Sequence, residues 1–327
     1  MIEVKNLVKQ YGNHLAVDNL SFTVEKGQIL GFLGPNGAGK STTMNILTGY
    51  ISATEGTVVV DGHDIFDEPE EAKKCIGYLP ELPPLYPDMT VREYLNFVAD
   101  LKQVKRSEKA QMIDKIMNMT KVTDVAGRLI KHLSKGYKQR VGLAQAIVGF
   151  PEVLILDEPT VGLDPMQITW IRDLIKDLKK NHTIILSSHI LSEVSAVCDQ
   201  IIIINKGRLI VSDSADNLSK HITGSNQLHL QVKGDKEAIQ NILQTMEAVT
   251  SYEFDKETID GHTSLTVFYR DNQDVREEIF YAFSDARCAI IEMHSTHMSL
   301  EDIFLEVTQD SKTKEDNKEV TVNAGDL

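Results

Sequence analysis

The period of the hydrophobic positions changes along this chain, and the changes divide it into successive stretches. Over residues 1–66 apolar and polar positions alternate in short runs closed by Gly or Asp-Gly, which predicts strands over 2–11, 15–24, 28–33 and 57–60, the last turning at Asp61-Gly62. One stretch with helical spacing interrupts them and predicts a helix over 40–47. From Thr90 to Val148 the period is helical, with Val91, Tyr94, Leu95 and Val98 on one face and Met112, Ile113, Ile116 and Met117 on another. This is a helical insert, placed at about 82–150.

Beyond the insert, 153–156, 183–186 and 201–204 are nearly all apolar. A strand covered on both faces has no polar side to present, so such runs read as strands of a parallel sheet. The helix between the first two, 166–180, has the length of a crossover connection. Asn205-Lys206-Gly207 then turns the chain into a strand over 208–211.

At 221–226 the pattern breaks into a polar link. The residues C-terminal to this link read as strand 227–232, helix 236–246, strands 250–255 and 264–269, helix 274–283 and strand 288–293, the βαββαβ order of a ferredoxin-like unit. A short helix over 299–307 is expected to pack against it, and the polar, charged residues 308–327 are expected to be disordered. The expected organisation is an α/β domain over 1–220, a small α+β domain over 226–307 and a tail.

Composition narrows the function. The 327 residues suffice for two domains. Acidic residues number 48 against 34 basic, a net charge of −14, so the chain is not built to coat nucleic acid and no such partner is expected. Cys75, Cys198 and Cys288 lie far apart, with no CxxC or Cys/His spacing, and read as reduced, mostly buried thiols. The first residues lack a basic segment followed by an apolar run, and no stretch approaches the roughly 18 apolar residues of a spanning helix. A membrane role would therefore come through a partner.

Two motifs carry chemistry. Gly34-Pro35-Asn36-Gly37-Ala38-Gly39-Lys40-Ser41 fits GxxxxGK[ST] and lies between the apolar strand ILGFL and a helix, with Thr42 next in line. Its glycines let backbone N–H groups curl round phosphates, and the helix N-terminus adds positive potential. Lys40 is placed to reach the β- and γ-phosphates, and the Ser41 hydroxyl to ligate Mg²⁺. The second motif is the buried strand ending in Asp157-Glu158. In a doubly wound sheet ligands bind at the carboxyl ends of strands, so Asp157 is placed for the Mg²⁺ shell and Glu158 to polarise an attacking water.

Leu133-Ser134-Lys135-Gly136-Tyr137-Lys138-Gln139-Arg140 resembles the LSGGQ signature of ABC ATPases. Thr160 to Pro165, containing Asp164, resembles their D-loop, His189 after TIILSS their switch histidine, and Tyr11 the aromatic that stacks on adenine. The resemblance covers residues 1 to about 218, in the family's order. It implies a P-loop NTPase fold with a β-subdomain and a helical insert, ATP and Mg²⁺ as ligands, and a head-to-tail homodimer across two ATP. Ser134, Lys135 and Gly136 would contact the ATP of the opposite subunit, where a capped helix start offers free N–H groups. It also implies a separate polytopic permease, and hence a cytoplasmic chain peripheral to the inner face of the cell membrane.

IGYLPE (76–81), the segment after Tyr86, and the closing Ser299 to Glu306 resemble ATPase subunits of exporters, including drug-efflux, polysaccharide-export and gliding-motility types. The C-terminal unit resembles their accessory domain, regulatory, dimer-supporting or simply stabilising. The alternative class is an ABC-type ATPase acting on a non-membrane partner. Three positions depart from the family pattern: Lys135 stands for Gly, Tyr137 for Gln, and Glu81 for a Gln that touches Mg²⁺, which makes Glu81 a candidate metal sensor.

Overall fold

The computed structural model describes residues 1–214, 217, 226–255, 262–270 and 275–296. The chain divides into two compact units, Met1–Ala215 and Asp216–Leu327. The first contains, in order, β1 (Ile2–Tyr11), β2 (His14–Val24), β3 (Ile29–Leu33), α1 (Lys40–Leu47), β4 (Glu55–Val60), β5 (His63–Asp64), α2 (Pro69–Lys74) and β6 (Ile76–Leu79). The helical insert comes next as α3 (Val91–Leu101), α4 (Arg106–Met119) and α5 (Lys135–Ile147). The chain then returns to strands with β7 (Val153–Asp157), α6 (Pro165–Leu178), β8 (Thr183–Ser188), α7 (Leu191–Ser195), β9 (Gln200–Asn205) and β10 (Arg208–Ser214).

The alternating strands form an antiparallel sheet in the order β2-β1-β4-β5. Its apolar side, including Ile2, Val4, Leu7 and Phe22, packs in one core with Met44, Ile46 and Leu47 of α1 and with Phe32 of β3. The all-apolar runs form a six-stranded sheet, β10-β9-β3-β8-β7-β6, parallel except for the edge strand β10. Every residue of β3, β7 and β8 is buried, as their lack of a polar face requires. The register of this sheet positions the site: Leu33 pairs with Ser188 and Asp157 with Ser187, so the carboxyl ends of three strands distant in sequence lie side by side.

The insert buries the two faces read from its periodicity, and α3 starts on a capping box between Thr90 and Glu93. Four elements lay outside the sequence reading: α2, β5, β6 and α7. Each is six residues or fewer, too short for a period to register, and α2 buries only Ala72. The crossover helix begins at Pro165 rather than Met166, because Asp164 caps it, accepting from the Gln167 N–H at 2.9 Å.

The second unit contains β11 (Asn226–Lys233), α8 (Lys236–Gln244), β12 (Val249–Phe254), β13 (Thr263–Tyr269), α9 (Arg276–Asp285) and β14 (Ala289–Thr296). Its antiparallel sheet runs β12-β13-β11-β14. Leu228, Leu230 and Val232 of β11 share a core with Ile239 and Leu243 of α8 and Ile279 and Phe283 of α9. Of the sequence expectations, the link at 221–225, the start of helix 274–283, the helix at 299–307 and the tail 308–327 fall outside the described residues. Among the described residues, no helix is long and apolar enough to cross a membrane, and the three cysteines are free, with Cys198 and Cys288 buried and Cys75 half-buried.

Candidate active site

Between β3 and α1 the chain passes through Gly34 to Gly39. Gly39 has φ of 102°, and a Cβ there would stand 2.5 Å from the Ala16 carbonyl oxygen, so only glycine fits. Lys40, first residue of α1, turns back over this loop: its Nζ donates to the carbonyl oxygens of Gly34 at 2.8 Å and Pro35 at 3.3 Å. The same ammonium lies 3.7 Å from Glu158 Oε1. Burial lowers the pKa of Lys40, opposed by the nearby carboxylates of Glu158, Asp157 and Glu81.

Glu158 follows β7 in the left-handed region, φ 49°, an uncommon conformation for a residue with a side chain. Its N–H donates to Ser187 Oγ at 3.1 Å and to the Ser187 carbonyl oxygen at 3.2 Å, and Ser187 Oγ donates to Asp157 Oδ1. One serine of β8 thereby holds both acids of β7. Burial raises the pKa of Glu158, partly offset by the hydrogen bond and charge of His189 and by Lys40. His189 Nδ1 lies 2.9 and 3.0 Å from the two Glu158 oxygens, and an ionised carboxylate can only accept, so Nδ1 carries the hydrogen when Glu158 is ionised.

These groups open on a cleft of about 510 Å³. Its walls include Tyr11, Asn36, Gly37, Gly39, Lys40, Ser41, Thr42, Glu81, Glu158 and His189, all singled out from sequence. Gly34, Pro35 and Ala38 stand behind it; Ala38 is in the core, and the other two supply carbonyls to Lys40. Asp157 is buried beneath, 2 % exposed. His14, Ala16 and Val161 also line the cleft and were missed. His14 and Ala16 arrive through the β1–β2 hairpin, and no local pattern marks them. The Tyr11 ring is half exposed, with Lys9 Nζ 5.0 Å from its centroid.

Ser134, Lys135, Gly136 and Asp164 are not in the lining of this cleft; signature and D-loop meet each other instead. Ser134 caps α5, its Oγ accepting from the Tyr137 N–H at 3.4 Å. At Gly136 a Cβ would collide with Gln167 Oε1, while Gln167 Nε2 donates to Asp164 Oδ2. Lys135 lies against Gly162 of the D-loop. The departures at the signature have local partners: the Tyr137 hydroxyl donates to Asp124 Oδ2 at 2.6 Å, and Arg140 lies over the rings of both Tyr137 and Trp170.

A glycine cradle with a buried lysine at a helix N-terminus fits a polyphosphate. Among the described residues no group of three or more His, Cys, Asp or Glu is arranged to hold a metal. The Ser41, Glu81 and Asp157 oxygens suit instead a hard divalent cation that keeps phosphate and water ligands.

The profile of the family described as "ABC transporter" matches residues 17–161. The uncharacterized ABC transporter ATP-binding protein YhcH of Bacillus subtilis (strain 168) is 35% identical over 321 residues, covering 95% of this chain and 97% of that one. The bacitracin transport ATP-binding protein BcrA of Bacillus licheniformis is 38% identical over 241 residues, 73% of this chain and 77% of its own length. Among solved structures, the dimeric post-hydrolysis state of the ATP-binding cassette MJ0796 bound to ADP and Pi is similar, with TM-score 0.61, 25% identity, and coverage of 66% of this chain and 99% of that one. The chain belongs to the ABC transporter family and is an ATP-binding, ATP-hydrolysing member of it, with a P-loop NTPase fold.

Proposed function

We propose that this chain energises a membrane transporter of the exporter type by binding and hydrolysing Mg-ATP as a homodimer, docked on a separate polytopic permease from the cytoplasmic side. The observation that carries this is the division of the site. Residues of the phosphate loop, Glu158 and His189 line one cleft, with Asp157 buried next to Glu158, and Ser134, Lys135, Gly136 and Asp164 are absent from that lining. A second copy, head to tail, would bring its signature to this cleft and make two equivalent sites. The dimeric form of the MJ0796 cassette supports the homodimer, and the bacitracin transport role in BcrA's name supports the transport assignment.

Bound Mg-ATP would supply the reactive γ-phosphate and neutralise its charge. Lys40 and the loop N–H groups hold phosphates; Ser41 and Asp157, with Glu81 beside them, hold the cation; Tyr11 stacks on the adenine. Glu158, its basicity raised by burial, takes a proton from the attacking water, and His189 contacts the γ-phosphate. Closure of two copies on ATP and reopening after hydrolysis is the motion passed to the permease. Residues 1–220 form the nucleotide-binding domain in this reading and 226–307 an accessory domain.

The test is to purify tagged Glu158→Gln protein with Mg-ATP from gently solubilised membranes and identify what accompanies it. A polytopic membrane protein is expected. Only soluble partners would leave the ATPase and remove the transport reading in favour of an ATPase with a non-membrane partner.

A further inference from the structure

Four residues beyond His189, the first turn of α7 carries Glu193, a carboxylate only 6% exposed. Its Oε2 accepts from Thr160 Oγ1 at 2.5 Å and from Ser188 Oγ at 3.3 Å. Both hydroxyls are buried, at 7% and 1% exposure. Ser188 Oγ also accepts from the Ile190 N–H at 3.0 Å, so the turn carrying His189 is pinned on both sides. Thr160 lies two residues beyond Glu158, at the entry to the D-loop. One buried oxygen thus joins the segment of Glu158 to the segment of His189, beside the tie that Ser187 makes to Asp157 and to the Glu158 N–H.

We propose that Glu193 is a positioning residue for hydrolysis: it sets the spacing of Glu158 and His189 by clamping Thr160 and Ser188, and it touches neither ATP nor the reacting atoms. Three observations carry this. Glu193 is absent from the lining of the cleft. An acid buried on a five-residue helix, held by hydroxyls, is costly to keep unless the fold uses it. Glu158 sits at positive φ, a conformation that persists only where its surroundings over-determine it. The inference rests on the roles given above to Glu158 and His189.

The test compares Glu193→Leu, Glu193→Gln and Thr160→Val, with Glu158→Gln as control, in the full-length protein. Steady-state ATPase rates, equilibrium binding of a fluorescent ATP analogue and melting temperature are measured. Glu193→Leu is expected to lower kcat by about tenfold or more, with analogue affinity retained because the phosphate loop is untouched. Glu193→Gln keeps an acceptor for both hydroxyls and is expected to recover most of the rate. Thr160→Val removes one hydroxyl and is expected to show a smaller loss of the same kind, which keeps the proposal testable where Glu193→Leu does not fold. If the folded variants hydrolyse at the parent rate while Glu158→Gln is inactive, the positioning role is wrong and the Glu158 assignment stands. If Glu158→Gln itself hydrolyses normally, that assignment falls and the inference with it.

Discussion

Lys40 Nζ stands 3.7 Å from Glu158 Oε1, with both side chains less than a tenth exposed, so the cation assigned to phosphate and the residue assigned to activate water share one buried pocket. Neither charge is fully satisfied by the other at this distance: Lys40 donates to two backbone carbonyls, and Glu158 accepts from His189.

Replacing Lys40 with Ala should abolish the main charge-assisted contact to phosphate. ATP affinity, measured by calorimetry, is expected to fall at least about tenfold. Affinity at the parent level would remove Lys40 from the phosphate site.

Glu158→Gln should stabilise the nucleotide-free protein, and the gain should depend on pH. The folded pKa of Glu158 is raised by burial, so the folded state holds its proton more tightly than the unfolded chain. The penalty for ionising it is absent below the unfolded value and grows as pH rises through the folded one. The melting temperature of Glu158→Gln should therefore exceed the parent's at neutral pH, and the difference should shrink as pH falls into the ordinary carboxylate range. A difference that grows on acidification would contradict the raised pKa.

The Tyr11 ring is half exposed in the lining of the cleft, the position proposed to meet the adenine. Stacking of a base on an aromatic is worth about 1–3 kcal/mol, so Tyr11→Ala should weaken ATP binding roughly tenfold, while Tyr11→Trp should retain it. Equal affinities for ATP and inorganic triphosphate in the parent would argue against the stack.

Gly136→Ala tests the contact between signature and D-loop. Its methyl would displace Gln167 and break the Gln167–Asp164 bond. Hydrolysis should fall roughly tenfold, with ATP binding to the monomer unchanged. A parent-level rate would show that Gln167 yields without consequence.

Glu81→Gln asks whether the acid at the usual glutamine position matters. Glu81 lines the cleft and adds to the negative potential at Lys40. The Mg²⁺ concentration for half-maximal hydrolysis is expected to rise several-fold, since a neutral amide attracts the cation less. Unchanged Mg²⁺ dependence and rate would end the metal-sensing idea.

Much of this was legible without coordinates. The glycine spacing before Lys40 and the all-apolar run ending in Asp157-Glu158 are contiguous, and each encodes its own backbone shape and chemistry. The strands β3, β7 and β8 could be read because burial on both faces leaves an unmistakable apolar run. The helix α2, which buries only Ala72, and the four-residue β6 left no such trace. His14 and Ala16 reach the cleft only because a hairpin returns them to it.

The sequence by itself determined which residues carry chemistry suited to phosphate and to proton transfer, because those properties belong to side chains and to turns a few residues long. Only the tertiary structure decided that Glu158 meets Lys40 and His189, that the signature meets the D-loop rather than this cleft, and that Glu193 is a clamp. On a short helix Glu193 reads as an ordinary surface acid. Its role comes from the strand order β3-β8-β7, fixed by pairing between segments far apart in the chain, which buries it between two hydroxyls.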